Sequence, residues 1–153
     1  MPKISRIELV QQNEQPVLAI RTMTSIEKLP QLIGESYQKM ADYLAELGEC
    51  LSDVPFVAYH NMDMHHLDVE IGFPVMKKLP DKGDLKSGCI PESRSIFCMY
   101  LGPYGDIEPT YNEMAEFMKQ NGYEPTGTAY EYYYNDSDFP EKVRLTKIVM
   151  PIK

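Results

Sequence analysis

Two stretches of this chain repeat one another. "SYQKMADYLAELG" at 36–48 lies against "TYNEMAEFMKQNG" at 110–122, pairing Tyr37 with Tyr111, Met40 with Met114, Ala41 with Ala115 and Gly48 with Gly122, each 74 positions apart. Carried forward without a gap, the same offset pairs Tyr59 with Tyr133 and Asn61 with Asn135. Pro74 then meets Pro151 at an offset of 77, so the second copy is longer by three residues in its hairpin loop. Self-similarity at a fixed offset constrains a fold strongly, because each element of one copy must have a counterpart in the other.

Periodicity identifies those elements. "ISRIELVQQ" and "PVLAIRTMT" are short runs of β-branched and apolar residues separated by "NEQ", which reads as two strands. Over residues 25–48, Leu32, Ile33, Tyr37, Met40, Tyr43, Leu44 and Leu47 recur at threes and fours, the pattern of an amphipathic helix with Pro30 at its start and Gly48 at its end. "PFVAYHNM" and "LDVEIGFPV" read as strands, the second alternating Leu67, Val69, Ile71 and Phe73 against Asp68, Glu70 and Gly72. After "MKKLPDKGDLKSGCIPES", rich in Lys, Gly and Pro and read as a connection, the order restarts. A strand "SIFCMYLG", a helix "DIEPTYNEMAEFMKQNG" opened by a cap at Asp106, and strands "TAYEYYY" and "VRLTKIVMPI" follow.

The expected fold is therefore α+β: a duplicated strand, helix, strand, strand module, with pseudo-repeats at about 14–77 and 94–153 inside one domain over 1–153. Antiparallel sheets carry the two main helices. A central cleft is expected where the sheet faces left uncovered by the helices meet.

Charge and composition exclude several functions. A net charge of -8 repels phosphate backbones, so direct nucleic-acid binding is not expected. "MPKISRIELVQQNEQ" has no apolar run leading to a cleavage site, and no segment approaches a membrane span, so the chain is read as cytoplasmic and free of membrane. Cys50, Cys89 and Cys98 are odd in number and lack C-x-x-C spacing, which points to neither a disulfide framework nor structural zinc.

"AYEYYYND", at 129–136, sets one carboxylate in a run of tyrosines. Strand alternation sends Ala129, Glu131 and Tyr133 to one face and Tyr130, Tyr132 and Tyr134 to the other. Glu131 reads either as a strand carboxylate satisfied by Lys142, Arg144 or Lys147 on the next strand, or as an acid held in the cleft for a ligand. The repeat adds a pointer: the counterpart of Glu131 is Val57, whereas Tyr133 has the counterpart Tyr59. An acid present in one copy alone is not a requirement of the module.

The order "LGPYG" (101–105), "NGYEP" (121–125), "EYY" (131–133) before an acidic loop, and the terminal "VMPIK" resembles GyrI-like small-molecule-binding domains over essentially the whole chain. The same module occurs, in bacterial-type proteins, as the effector-binding part of AraC-type and MerR-type transcription activators. The first half departs from the pattern, with "TSIEKL" where a Gly-Pro-Tyr turn would follow "AIRTM". The resemblance implies an aromatic cleft that binds lipophilic molecules, including multiple drugs. It places Glu131 as counter-charge to a cation, with Tyr133, Tyr59, Tyr100 and Tyr111 around the ligand. With no helix-turn-helix ahead of the module, the chain is expected to act as a stand-alone sensor, sequestering protein or modulator, monomeric or homodimeric.

Two alternatives follow from the same resemblance. Some relatives hydrolyse cyclopropane-bearing natural products with a glutamate at this strand position and a nearby tryptophan; this chain has no Trp, and Glu131 would be its general base. Otherwise an acidic surface engages a protein partner, inhibiting a nucleic-acid enzyme such as gyrase. No cofactor and no metal are expected: "HNMDMHHLD" at 60–68 gathers His60, His65, His66, Asp63 and Asp68 without a recognised ligand spacing and reads as a hairpin turn.

Overall fold

The computed structural model describes residues 5–135 and 139–153. The extreme N-terminus read for a leader and the centre of the acidic loop after Tyr134 lie outside the described residues. In chain order the elements are β1 (Glu8–Gln12), β2 (Gln15–Thr24), α1 (Leu29–Leu47), β3 (Phe56–Tyr59), β4 (Leu67–Pro74), β5 (Lys86–Ile90), β6 (Ser93–Leu101), α2 (Glu108–Gln120), β7 (Ala129–Tyr133) and β8 (Leu145–Ile152). The class is α+β, with antiparallel strand pairing and two helices. The chain divides into two compact units, one formed by Met1–Gln12 with Ser93–Lys153 and the other by Asn13–Glu92.

In the Asn13–Glu92 unit the strand order is β3-β4-β2-β5. Helix α1 takes Pro30 in its first turn and stops at Gly48, whose φ of 70° closes the C-terminus in the left-handed conformation glycine adopts without strain. Val57, Ile71 and Ile20 stand opposite one another across β3, β4 and β2 and therefore share a face. Helix α1 covers that face, with the Tyr37 ring 5.4 Å from Phe73. β5 is a strand that the sequence reading took for connection; "KSGCI" has no alternation because it is an edge strand paired only along β2, mostly exposed.

In the other unit the order is β1-β6-β8-β7. Helix α2 lays Met114 and Met118 on Ile96, Cys98, Tyr100, Ile148 and Ile152 to form a buried core. Its N-terminus differs from expectation. Asp106 does not cap it; Asp106 ends a short 3-10 turn (Tyr104–Asp106), and Ile107 occupies the cap position without a side-chain hydrogen bond.

The register of this unit decides where Glu131 points. Cys98 and Glu131 both stand opposite Ile148, and Tyr100 and Tyr133 both stand opposite Thr146. Cys98, Tyr100 and Ile148 belong to the core under α2, so Glu131 and Tyr133 lie on the helix-covered face, not on the uncovered one that the repeat pattern alone implied. The other face carries Tyr132 and Phe97, with the Lys147 ammonium 5.5 Å and 5.4 Å from their ring centres.

Candidate functional site

β7 delivers Glu131 to the space between sheet and α2, where it is 7% exposed. Tyr133, two residues on and therefore on the same face, donates from its hydroxyl to Oε1 at 2.8 Å. Tyr111, in the first turns of α2, donates to Oε2. Each carboxylate oxygen thus receives one phenol. Among the described residues no cation pairs with Glu131. The three cations considered as partners lie elsewhere: Lys147 sits between rings on the opposite face, Arg144 donates to Phe139 O at 3.1 Å with its guanidinium 5.6 Å from the Tyr104 ring, and Lys142 lines an open depression of the surface.

Burial raises the pKa of Glu131 above the ordinary carboxylate value, and the two phenol hydrogen bonds only partly oppose that rise. The group therefore holds a proton more tightly than a surface glutamate. Once ionised, it is a charge in a low-dielectric space whose attraction for a cation water screens little. Two donors orient the carboxylate without neutralising it.

A second tyrosine pair completes the site. "LGPYG" bends at Gly102, whose φ of 144° excludes other residues and whose missing Cβ leaves room for the Tyr100 hydroxyl 3.2 Å away. The bend sets Tyr104 on the 3-10 turn, its ring 5.3 Å from that of Tyr133 and at 64° to it, an edge-to-face contact. Tyr104 is 40% exposed, yet desolvation raises its pKa, with Glu131 adding to the rise and Arg144 and Thr146 opposing it. The Tyr104 hydroxyl lies near Thr146 and Glu131.

Of the five tyrosine and glutamate positions expected to bind ligand, the structure brings Glu131, Tyr133 and Tyr111 together. Tyr100 is fully buried in the core under α2 and donates to Pro103 O. Tyr59 ends β3 of the other unit, half-buried and opposite Val69. Tyr104 and Thr146 were not on that list. The signal for Tyr104 was present in "LGPYG", whose turn aims the tyrosine back over the sheet; Thr146 carried none. Two open depressions of the surface do not include Glu131. One of about 340 Å³ is lined by Lys39, Tyr43, Lys82 and Asp84, and one of about 820 Å³ by Pro103, Asp106, Asn112 and Lys142.

The "HNMDMHHLD" segment resolves into separate pairs. His60 Nε2 lies 3.1 Å from Glu70, Asp68 accepts from Arg21 at 2.8 Å, and Asp63 Oδ1 accepts from the His65 backbone N–H at 3.1 Å. Among the described residues no group of three or more His, Cys, Asp or Glu side chains is placed to hold a metal ion. Cys50 and Cys89 are exposed thiols, and Cys98 is buried against Met114.

An acid kept without a counter-ion among phenols, under the helix of an α+β unit, is an arrangement suited to a small-molecule-binding module. The chain belongs to the GyrI-like small molecule binding domain family, whose profile matches residues 5–153. Comparison with curated proteins gave no match. Solved structures share the fold. The C-terminal domain of EcmrR superposes with a TM-score of 0.80 at 22% identity, covering 97% of each chain. EcmrR in an EcmrR-DNA complex matches with a TM-score of 0.84 at 20% identity over 97% of this chain, which spans 57% of that chain. A hydrolase from Listeria innocua matches at 0.72 and 16% identity, over 100% of this chain and 94% of that one. SAV2435 bound to tetraphenylphosphonium matches at 0.62 and 13% identity, over 97% and 94%.

Proposed function

We propose that this protein binds lipophilic organic cations, with Glu131 as counter-charge and Tyr133, Tyr104 and Tyr111 as the surrounding aromatic surface. The observation that carries this reading is the pairing of Glu131: a buried carboxyl with two phenol donors and no cation among the described residues. Keeping a buried charge unpaired costs several kcal/mol, a cost that a bound cation offsets. Tyrosine faces add cation–π attraction of about 0.5–2 kcal/mol. The binding of tetraphenylphosphonium by SAV2435, a structural neighbour, agrees with this ligand class. We propose further that the two units are copies of one strand, helix, strand, strand module, and that the ligand-binding role belongs to the copy with the acid.

The test is equilibrium binding of three ligands of related shape: tetraphenylphosphonium, neutral triphenylphosphine oxide and the tetraphenylborate anion. The wild type binds the cation selectively, and Glu131→Gln loses about 1.5–3 kcal/mol of that affinity. Equal binding of cation and anion, or undiminished binding by the Gln variant, refutes the reading.

A second reading takes the buried Glu131, whose pKa burial raises against the two phenol hydrogen bonds, as a general base on water once ionised. It makes the protein a hydrolase of strained electrophiles. Turnover of a cyclopropane-bearing electrophile that vanishes in Glu131→Gln supports it, and the absence of turnover in the wild type removes it.

A further inference from the structure

Thr146 is the polar group beside Glu131 that the binding reading leaves without a task. It is fully buried, and among the described residues its hydroxyl has no hydrogen-bond partner of normal geometry. It stands directly opposite Tyr133 across β7 and β8 and opposite Tyr100 across β6 and β8, on the face that carries Glu131. The Tyr104 hydroxyl lies near it without forming a hydrogen bond of normal geometry. A buried hydroxyl with no partner is destabilising, and such groups call for a specific explanation.

The fold does not require a hydroxyl there. In the Asn13–Glu92 unit the corresponding residue is Val69, which stands opposite Tyr59 as Thr146 stands opposite Tyr133, and is likewise fully buried. The two positions of this face that are polar in one unit, 131 and 146, are both valine in the other, at Val57 and Val69. Polarity has been placed twice in one unit at sites where packing is satisfied by valine.

We propose that Thr146 is a specificity-determining residue of the Glu131 site, a neutral hydrogen-bonding anchor for a lipophilic cation that also carries a hydroxyl or comparable polar group. The inference rests on the reading that Glu131 receives a cationic ligand. In this proposal Tyr104, part exposed on the short turn between Gly102 and Gly105 and packed edge-to-face on Tyr133, is the side chain that a ligand displaces to reach Thr146. A cation without a polar substituent satisfies Glu131 alone and leaves Thr146 as it is in the free protein.

The experiment compares tetraphenylphosphonium with its three isomers bearing one hydroxyl at the ortho, meta or para position of one ring. Affinities are measured for wild type, Thr146→Val, Thr146→Ser and Glu131→Gln. At least one isomer binds the wild type about five- to tenfold more tightly than the parent, the scale of one neutral hydrogen bond. The advantage persists in Thr146→Ser and falls below twofold in Thr146→Val, while Glu131→Gln weakens parent and isomers alike. If no isomer gains more than twofold in the wild type, or the gain survives in Thr146→Val, the anchor is overturned and the Glu131 reading stands. If parent binding is indifferent to Glu131→Gln, both fall, because the anchor then has no cation to hold. Thr146→Ala replaces Thr146→Val if thermal melting shows the latter unfolded.

Discussion

In one unit Tyr111, from α2, donates to the Glu131 carboxylate; in the other Tyr37, its counterpart on α1, donates to the Phe56 carbonyl at 3.5 Å. The strands beneath differ by one side chain at that point, Glu131 against Val57. Around them the packing is alike: Met114 and Met40 are both fully buried under their helices, and both helices end at a glycine that follows the last turn. The comparison separates what the architecture needs from what has been added to it. A helix packed on three strands needs apolar residues at these positions, and Val57 supplies one. Glu131 is buried at the same place on its strand and differs by the two phenol hydrogen bonds it accepts.

The sharpest way to break the comparison is to put the acid into the other unit. Val57→Glu places a carboxyl at a fully buried position on the strand face that carries Tyr59, the counterpart of Tyr133, under the helix whose Tyr37 donates to the Phe56 carbonyl. It should destabilise the protein by about 3–5 kcal/mol at neutral pH, the range for an uncompensated buried charge. The loss should shrink in acid, where the new side chain is protonated. Chemical denaturation at pH 7 and pH 4.5 measures both. A loss below about 1 kcal/mol at pH 7 means that the second face tolerates a carboxyl as well as the first. Glu131 would then lose its standing as the special one.

Removing a donor from the site that does hold an acid has the next largest effect. Tyr111→Phe leaves Glu131 Oε2 without its phenol while preserving the ring. A hydrogen bond to a charged group is worth about 1.5–3 kcal/mol, and the variant should lose stability in that range above the titration of Glu131. It should also hold its proton more tightly, since one of the two hydrogen bonds that favour the ionised form is gone. Unchanged stability across that titration shows that Tyr111 serves packing alone.

The strands and helices other than β5 were legible in the sequence because each of them announces itself locally. The threes and fours of Met40, Tyr43 and Leu44 survive as a buried stripe of α1, and Gly48 and Gly122, both at φ 70°, mark where the helices end. β5 was not legible: an edge strand with one neighbour has no buried face to impose alternation on Lys86 to Ile90. The face of Glu131 was half legible. Alternation grouped it correctly with Tyr133, but which group lies under α2 is fixed by the register with β8, a relation between residues 17 positions apart that no local pattern encodes. Asp106 shows the same limit from the other side. A residue of good capping type precedes the helix by two positions, and the 3-10 turn that aims Tyr104 at the site occupies the place where the cap would form.

The mildest test is the pH dependence of stability, in which the two acids of opposite behaviour can be told apart by sign. Burial raises Glu131 above its ordinary value near 4.5, so between that value and the folded one the native state keeps a proton that the unfolded chain has released. The contribution of Glu131 is therefore fully present below about pH 4.5 and is lost as pH rises through the folded value, with a slope of at most about 1.4 kcal/mol per pH unit. Asp68 beside Arg21 and Asp84 beside Lys39 are shifted down by their partners, so their contributions are present above the ordinary carboxylate value and lost as pH falls. Those surface pairs are common to wild type and Glu131→Gln, and they cancel in the difference between the two. Melting temperatures taken from pH 4 to pH 8 should show the wild type falling relative to the variant as pH rises above the ordinary carboxylate value. A flat difference over the whole range means that the carboxyl ionises as freely in the folded protein as in the unfolded chain. In that event the low-polarity site in which a cation would replace the proton does not exist.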